Sequence, residues 1–169
     1  MIGPTKRPQD FGFKVGDSHI IVNDITERAR AFAFGGQELW NIPCLARGQG
    51  SDYDWAGAGT DTPPGLYKIG AIYRDYEIDP APQYNRTALA YGWFSFDLEE
   101  LEGQEARYGR AGIMIHGGGS ACGWPGAWAP EQPLVPTLGC VRLRNVDLLH
   151  RVLPLTLTGT VFVSVFQEG

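Results

Sequence analysis

The chain has 169 residues, a formal net charge of −5 at pH 7, 43% hydrophobic residues and 20% charged residues. A chain of this size buries roughly two thirds of its unfolded surface around one core, and its composition is that of a folded globular protein rather than a disordered or repetitive one. The acidic balance argues against nucleic-acid binding, which requires a basic stripe, and no apolar run approaches the roughly 20 residues of a membrane span.

Six segments have the β-branched and aromatic composition of strands, and several of them alternate apolar with polar residues. In chain order they are 19–25, 29–34, 65–74, 91–96, 111–116 and 159–166. The 23 glycines and 12 prolines fall largely between these segments, above all in 46–65 and 123–136. This distribution predicts a mainly β fold in which short strands are joined by long loops, and such loops often carry function.

One helix is predicted near the end of the chain. Asn145 is a suitable N-cap, and Asp147 lies in the first turn, where the helix dipole favours a carboxylate. Leu148 and Val152 provide an apolar side, and Pro154 is expected to end the helix. The segment before Asn145 therefore lies between a long loop and a helix start.

The chain has three cysteines, an odd number that leaves at least one thiol unpaired. The first residues lack the apolar core of a secretory signal, so we expect no export by the usual route. A disulfide between Cys44 and Cys122 is an alternative if the protein works outside the cytoplasm. His116, Cys122 and Cys140 do not have the spacing of a zinc site and lack a fourth ligand, so no metal is expected.

Two residues are candidates for nucleophilic catalysis. Cys140 follows Gly139 late in the chain, and a cysteine nucleophile needs a base or a positive charge beside it to form its thiolate. His116 ends an apolar strand and is followed by three glycines, which allow a sharp turn and a close approach by another group. A buried core thiol and a structural strand-end histidine are the alternative interpretations.

These segments resemble a known family, the L,D-transpeptidases with a YkuD-type catalytic domain. Its pattern is a histidine at a strand end and, further on, Ser/Thr-His-Gly-Cys followed by an aliphatic residue and Arg. Here His116-Gly117 is followed by the segment 137–142, Thr-Leu-Gly-Cys-Val-Arg, and TPPGLYKIG at 62–70 resembles an upstream strand of the family. The likeness covers about 62–152, and it implies one L,D-transpeptidase-like domain over 1–169. The implied fold is a YkuD-like β-sandwich or mixed sheet with one short helix after the cysteine.

The resemblance also implies a role for each motif residue. Cys140 would be the nucleophile, His116 its base, and the Gly117 carbonyl would fix the imidazole tautomer. The backbone around Gly139 and Cys140 would hold an oxyanion. Arg142 would bind a stem carboxylate, or else pair with Asp147, and Thr137 would shape the turn.

The implied function is a cysteine-dependent peptidoglycan L,D-transpeptidase or L,D-carboxypeptidase without a cofactor. A stem tetrapeptide would acylate the cysteine as a thioester, which an amine or water would resolve at the cell wall, in the periplasm or outside the cell.

Two departures from the family pattern are visible. Leu138 replaces the second histidine, and the spacing from His116 to Cys140, 140 − 116 = 24, exceeds the common one. The alternative function is therefore a non-catalytic cell-wall-binding relative. Type VI secretion amidase effectors share the fold and often lack that histidine. A secretion machine or an immunity protein is therefore an alternative partner.

Overall fold

The computed structural model describes residues 1–49, 55, 59–78, 85–120 and 123–168. An eight-stranded mixed sheet dominates the described part of the chain, with the strand order β3-β2-β1-β8-β4-β5-β6-β7. The strands are β1 Ser18–Asn23, β2 Arg28–Ala33, β3 Glu38–Pro43, β4 Gly65–Tyr73, β5 Ser95–Glu100, β6 Met114–His116, β7 Val141–Arg142 and β8 Val161–Phe166. The prediction of a mainly β fold is confirmed.

The helices are short and lie between the strands. They are α1 Asp75–Ile78, α2 Arg86–Tyr91, α3 Gln104–Tyr108, α4 Asn145–Asp147 and α5 Leu153–Thr156. A π-helical turn, Leu148–Val152, connects α4 to α5, and 3-10 turns occupy Pro8–Phe11 and Pro125–Trp128. The helical segment predicted after the cysteine is present, and α1, α2 and α3 are additional to it.

The predicted helix differs from the observed one at both ends. Asn145 does not cap the helix, because the N-cap position belongs to Arg144. Pro154 does not end the helix and lies in the first turn of α5. The preceding π turn accounts for this, because it changes the hydrogen-bonding register and lets a residue without an N–H enter at a new helix start.

The strands present two different faces at the β5-β6-β7 end of the sheet. Phe96 on β5 is the register partner of Ile115 on β6, which in turn is the partner of Val141 on β7. These three side chains are buried in the main hydrophobic core, together with Leu148 and apolar residues of β1, β2 and β8. Because side chains alternate along a strand, the neighbours of these three residues in the sequence project from the opposite face of the sheet.

β8 occupies the middle of the sheet. It pairs with β1 in parallel and with β4 in antiparallel orientation. Its residues from Val161 to Val165 are all buried, unlike β1, whose residues alternate between buried and half-buried. β8 therefore joins the meander β1-β2-β3 to the meander β4-β5-β6.

Within the described ranges, the structure contains no helix with the length and apolar character needed to cross a membrane.

Candidate active site

The parallel pair β6-β7 positions the two candidate catalytic residues. His116 is the register partner of Arg142, and Ile115 is the partner of Val141. Ile115 and Val141 point into the core, so His116 and Arg142 project from the other face of the sheet. Cys140, one residue before Val141, belongs to the same face as His116 by this alternation.

His116 and Cys140 line one cleft of about 340 Å³. Tyr91, Met114, Ser120 and Leu138 also border it, as does the segment 110–113. The ring of Tyr91 meets the imidazole edge to face, with centroids 5.0 Å apart. Two residues that are 24 positions apart in the sequence thus share one open pocket, as the sequence pattern requires of a nucleophile and its base.

The imidazole of His116 is held by the backbone. Its Nδ1 lies 2.8 Å from the carbonyl oxygen of Gly117. Because a carbonyl oxygen only accepts, Nδ1 carries the proton and Nε2 keeps its lone pair in the neutral ring. Burial lowers the pKa of His116 to about 4, the positive charge of Arg142 lowers it further, and the Gly117 bond partly opposes both. His116 is therefore a neutral base at physiological pH.

The thiol of Cys140 is half-buried. Its Sγ is 3.7 Å from the carbonyl oxygen of Gly112. Burial raises the pKa of Cys140 above the ordinary thiol value, a backbone hydrogen bond from Met114 and the charges of Arg110 and Arg142 lower it, and Asp97 raises it. Because the burial effect is the largest, the resting site pairs a neutral thiol with a neutral imidazole.

Thr137 closes the turn that presents Cys140. Its Oγ1 accepts from the N–H of Gly139 at 2.9 Å and donates to the carbonyl of Cys140 at 2.8 Å. The Gly139 N–H, predicted as an oxyanion donor, is thus occupied in this state. Within the described residues, the N–H of Cys140 has no hydrogen-bond acceptor, which leaves it as the donor at this turn that an oxyanion can use.

Arg142 is buried and is not placed to bind a substrate directly. Its side chain is 0% exposed. Nη1 donates to the carbonyls of Gly117 at 2.7 Å and Gly118 at 2.6 Å, Nε donates to the carbonyl of Val135 at 2.8 Å, and Nη2 bonds to the hydroxyl of Ser120. The guanidinium therefore ties the loop after His116 to β7 and to the strand approach at Val135, and it has no face open to a stem carboxylate.

The family model of the YkuD L,D-transpeptidase catalytic domain matches residues 17–163, well beyond both ends of the motif region 62–152. The chain belongs to the YkuD family. The match includes β1 to β7 and the start of β8, so the strands before the recognised motifs are part of the YkuD unit.

Solved structures share the YkuD fold. Bd1075 of Bdellovibrio bacteriovorus has 19% identity and a TM-score of 0.60, over 88% of this chain and 47% of its own. Pgp2 of Campylobacter jejuni, a helical cell shape determining protein, has 18% identity and a TM-score of 0.58, over 90% of this chain and 48% of its own. The chain spans about half the length of these structures. A comparison with curated proteins found no match.

Arg110 lies at the candidate site, and the sequence analysis did not identify it. It is 7% exposed, and its Nη2 donates to the carbonyl of Leu138 at 2.9 Å. It also borders the cleft that contains Cys140. An arginine in a loop before a short strand has no pattern that marks it, since its contact to Leu138 is fixed only by the folded loops.

Asn145, which the sequence analysis considered only as a helix cap, connects the loops around the candidate site. Its Oδ1 accepts from the N–H of Gly118 at 3.0 Å, and its Nδ2 donates to the carbonyls of Ala127 at 2.7 Å and Ala129 at 2.8 Å. A Cβ at Gly117 would lie 2.2 Å from this Oδ1. Asn145 therefore fixes the glycine loop after His116 to the 3-10 turn at Pro125–Trp128, and glycine is required at 117 for that approach.

The remaining cysteines bear on the disulfide and metal alternatives. Cys44 is buried in the core. Cys122 lies outside the described residues, and with it both the proposed pairing to Cys44 and the incomplete zinc set. Among the residues that the structure describes, no group of three or more His, Cys, Asp or Glu side chains is placed to hold a metal ion.

Proposed function

We propose that this YkuD chain is a cysteine-dependent L,D-transpeptidase or L,D-carboxypeptidase that acts on peptidoglycan stem tetrapeptides. The observation that carries the proposal is the shared cleft of His116 and Cys140 on one face of the β6-β7 pair. The bond from His116 Nδ1 to the Gly117 carbonyl supports it further, because that bond leaves Nε2 as the proton acceptor.

The first chemical step forms a thioester. The Sγ of Cys140 attacks the carbonyl carbon of the third stem residue while its proton passes to Nε2 of His116. The tetrahedral intermediate places negative charge on the former carbonyl oxygen, where the N–H of Cys140 can donate. The C–N bond to the fourth residue then breaks, and the imidazolium returns its proton to the leaving amine.

The second step resolves the thioester. An amine of another stem or a water molecule loses a proton to His116 as it attacks the thioester carbon. The C–S bond then breaks, and the imidazolium returns that proton to the sulfur to regenerate the thiol. The amine gives a cross-link and water gives a shortened stem. The open cleft is compatible with both acceptors, so both outcomes belong to the proposal.

The resting charge state favours proton transfer that is concerted with attack. The pKa of Cys140 is raised and that of His116 is lowered to about 4, so a preformed thiolate-imidazolium pair is disfavoured. General base catalysis needs no such pair, because the proton moves as the S–C bond forms. Acylation therefore depends on a bound substrate that aligns the reacting carbonyl with the thiol.

Muropeptide analysis tests this function. Purified protein should convert disaccharide-tetrapeptides to cross-linked or shortened products by mass spectrometry, and the Cys140→Ala variant should not. Cys44→Ala is the matched control, because Cys44 is buried away from the cleft and should retain turnover. Unchanged tetrapeptides with wild-type protein would refute catalysis on this substrate.

A non-catalytic cell-wall-binding function is the second candidate. It is favoured by Leu138, whose 58% exposed hydrocarbon side chain stands where the family has a histidine, and by the raised pKa of Cys140. Intact mass spectrometry after incubation with a carbapenem separates the two candidates. A covalent adduct on Cys140 supports the enzyme, whereas stem-peptide binding without any adduct or turnover supports the binding protein.

The site of action follows from the substrate. Peptidoglycan lies outside the cytoplasmic membrane, so we propose that the protein acts at the cell wall. The fold similarity to Pgp2, a cell shape determining protein, supports a wall-modifying role. A secretion machine that delivers the protein, or an immunity protein that binds it, belongs to the same proposal.

A further inference from the structure

The turn that carries Cys140 is enclosed by Arg110. The guanidinium donates through Nη2 to the carbonyl of Leu138 at 2.9 Å, and through Nη1 to the carbonyl of Asp61 at 3.3 Å and to the hydroxyl of Thr60. The same Leu138 carbonyl accepts from the N–H of Gly59 at 3.2 Å. The loop around residues 59–61 and Arg110 thus hold the turn from one side.

The guanidinium of Arg110 occupies the space that a side chain at position 139 would need. The φ of Gly139 is +120°, and a Cβ built there would lie 1.6 Å from Nη2 of Arg110. No L side chain fits in that space unless Arg110 moves away. The glycine before the nucleophile and the arginine at 110 therefore form one packing unit.

Leu138 contributes only its backbone to this arrangement. Its side chain is exposed hydrocarbon and offers no hydrogen bond, although the family pattern places a histidine at this position. The polar contacts of Leu138 are made by its carbonyl oxygen, which accepts from Arg110 and from the N–H of Gly59.

Arg110 also contributes charge. Arg110 and Cys140 border the same cleft, and the positive charge of Arg110 lowers the pKa of the thiol against the larger raising effect of burial. The charged or titratable groups around the sulfur come from each neighbouring element: Asp97 from β5, His116 from β6, Arg142 from β7, Tyr91 from α2 and Arg110 from the segment before β6. Arg142 supports the thiolate and Asp97 opposes it.

We propose that Arg110 is a positioning residue that fixes the Leu138–Cys140 turn through the Leu138 carbonyl and places its positive charge at the cleft that contains the sulfur. The catalytic role of Arg110 rests on the proposed function. Its effects on the geometry of the turn and on the stability of the thiolate do not, because both can be measured without substrate.

The test measures iodoacetamide alkylation of Cys140 as a function of pH, with peptide mapping to separate Cys140 from the other cysteines. Arg110→Gln removes the charge and should raise the midpoint by about half a pH unit or more. Arg110→Lys keeps the charge and should restore most of the wild-type midpoint. Arg107→Gln, an exposed arginine on α3, is the matched control and should leave the midpoint unchanged.

Each outcome decides the proposal. Equal alkylation midpoints for wild type and a folded Arg110→Gln variant would overturn it. Equal midpoints for Arg110→Lys and Arg110→Gln would also overturn it, because the effect would then not depend on the charge at position 110. If Arg110→Gln does not fold, Thr60→Val removes one anchor of the guanidinium and should raise the midpoint by a smaller amount. No shift in that variant would then overturn the proposal.

The readout is independent of peptidoglycan. A protein that leaves muropeptides unchanged but shows the charge-dependent midpoint would contradict the proposed function and keep the inference. Active protein with a charge-independent midpoint would do the reverse. For an active enzyme, Arg110→Gln should also lower kcat at unchanged KM.

Discussion

His116 and Arg142 donate to the same carbonyl oxygen, that of Gly117, at 2.8 Å and 2.7 Å respectively. The two residues are register partners on the parallel strands β6 and β7, so the strand pairing itself brings them to this acceptor. The shared bond keeps the proton on Nδ1, and the adjacent guanidinium opposes a second proton on the ring. The Gly117 carbonyl thus fixes the tautomer of His116, whereas burial and the charge of Arg142 keep the ring neutral.

Replacement of Arg142 should destabilise the fold rather than weaken substrate binding. Arg142→Met leaves the buried carbonyls of Gly117, Gly118 and Val135 without this donor. We expect a loss of about 3 kcal/mol in the free energy of unfolding, measured by urea titration. The exposed Arg151 is the matched control, and Arg151→Met should change stability by less than about 0.5 kcal/mol. Unchanged stability with a raised KM would instead assign Arg142 to the substrate.

The titration of His116 should be displaced towards acid. Burial and the charge of Arg142 lower its pKa to about 4, so the ring should stay neutral across the range in which an ordinary histidine gains its proton. The Cε1 proton resonance of His116, assigned by its absence in His116→Gln, should therefore shift with a midpoint near pH 4. A midpoint at or above 6.5 would indicate a thiolate-imidazolium pair in the resting site.

His19 should make stability depend on pH. It lies 2.6 Å from the hydroxyl of Ser164, and burial lowers its pKa from 6.5 to about 4. The unfolded chain then binds the proton first as pH falls, so the contribution is complete above pH 6.5 and is lost by about pH 4. The free energy of unfolding of wild type should fall more steeply over this interval than that of His19→Gln.

The His19 comparison also controls for an opposing group. Burial raises the pKa of Asp24 to about 6, so its contribution is complete below pH 3.8 and is lost as pH rises towards 6. Both proteins contain Asp24, so the difference between their profiles isolates His19. Parallel profiles would show that His19 does not bind its proton differently in the folded and unfolded states.

Substitution of Gly139 should cost more than backbone strain. Gly139→Ala would place a Cβ against Arg110 at a φ of +120°, whereas Gly36→Ala has a φ of +87° with no atom within 4 Å. Both variants carry a left-handed strain of about 1 kcal/mol. Gly139→Ala should lose a further 1 kcal/mol or so by denaturant unfolding, because the guanidinium must move. Equal losses would show that Arg110 yields without cost.

Asn145 should contribute more stability than an ordinary helix cap. Asn145→Ala removes a buried acceptor and two donors, which should cost about 3 kcal/mol. Asn85 is the matched asparagine, since it caps α2 through one bond to the N–H of Ala88 at 3.1 Å, and Asn85→Ala should cost about 1 kcal/mol. Thermal unfolding of both variants measures the contrast, and a loss at 145 no larger than at 85 would contradict it.

Four of the longer strands were predictable from the sequence, whereas an edge strand and a two-residue strand were not. β1, β2, β4 and β8 coincide closely with predicted segments, because they have the apolar, β-branched and aromatic composition of strands. β3 was missed because it is an edge strand in which Ile42 alone is buried, and β7 because it has only two residues. The segment 91–96 was predicted as a strand, but Tyr91 ends α2 and β5 begins at Ser95, since tertiary packing overrides local composition there.

For the candidate site, local spacing indicated the proposed nucleophile and base but not the residues that surround them. Cys140 and His116 were found because the glycines beside them follow a pattern that the family shares. The roles of Arg142, Arg110 and Asn145 depend on backbone carbonyls distant in the sequence, such as those of Val135, Leu138 and Ala127. No periodicity encodes such partners, because they exist only once the loops have met.

The central position of β8 has a consequence for biosynthesis. The ribosome makes Val161–Phe166 after the other seven strands of the sheet. The meanders β1-β2-β3 and β4-β5-β6 therefore cannot pair through β8 until this segment leaves the exit tunnel. During that interval the edges of β1 and β4 that β8 will cover are open to wrong partners. Nascent chains stalled before residue 161 should therefore be sensitive to protease and should bind chaperones, whereas full-length released chains should resist both.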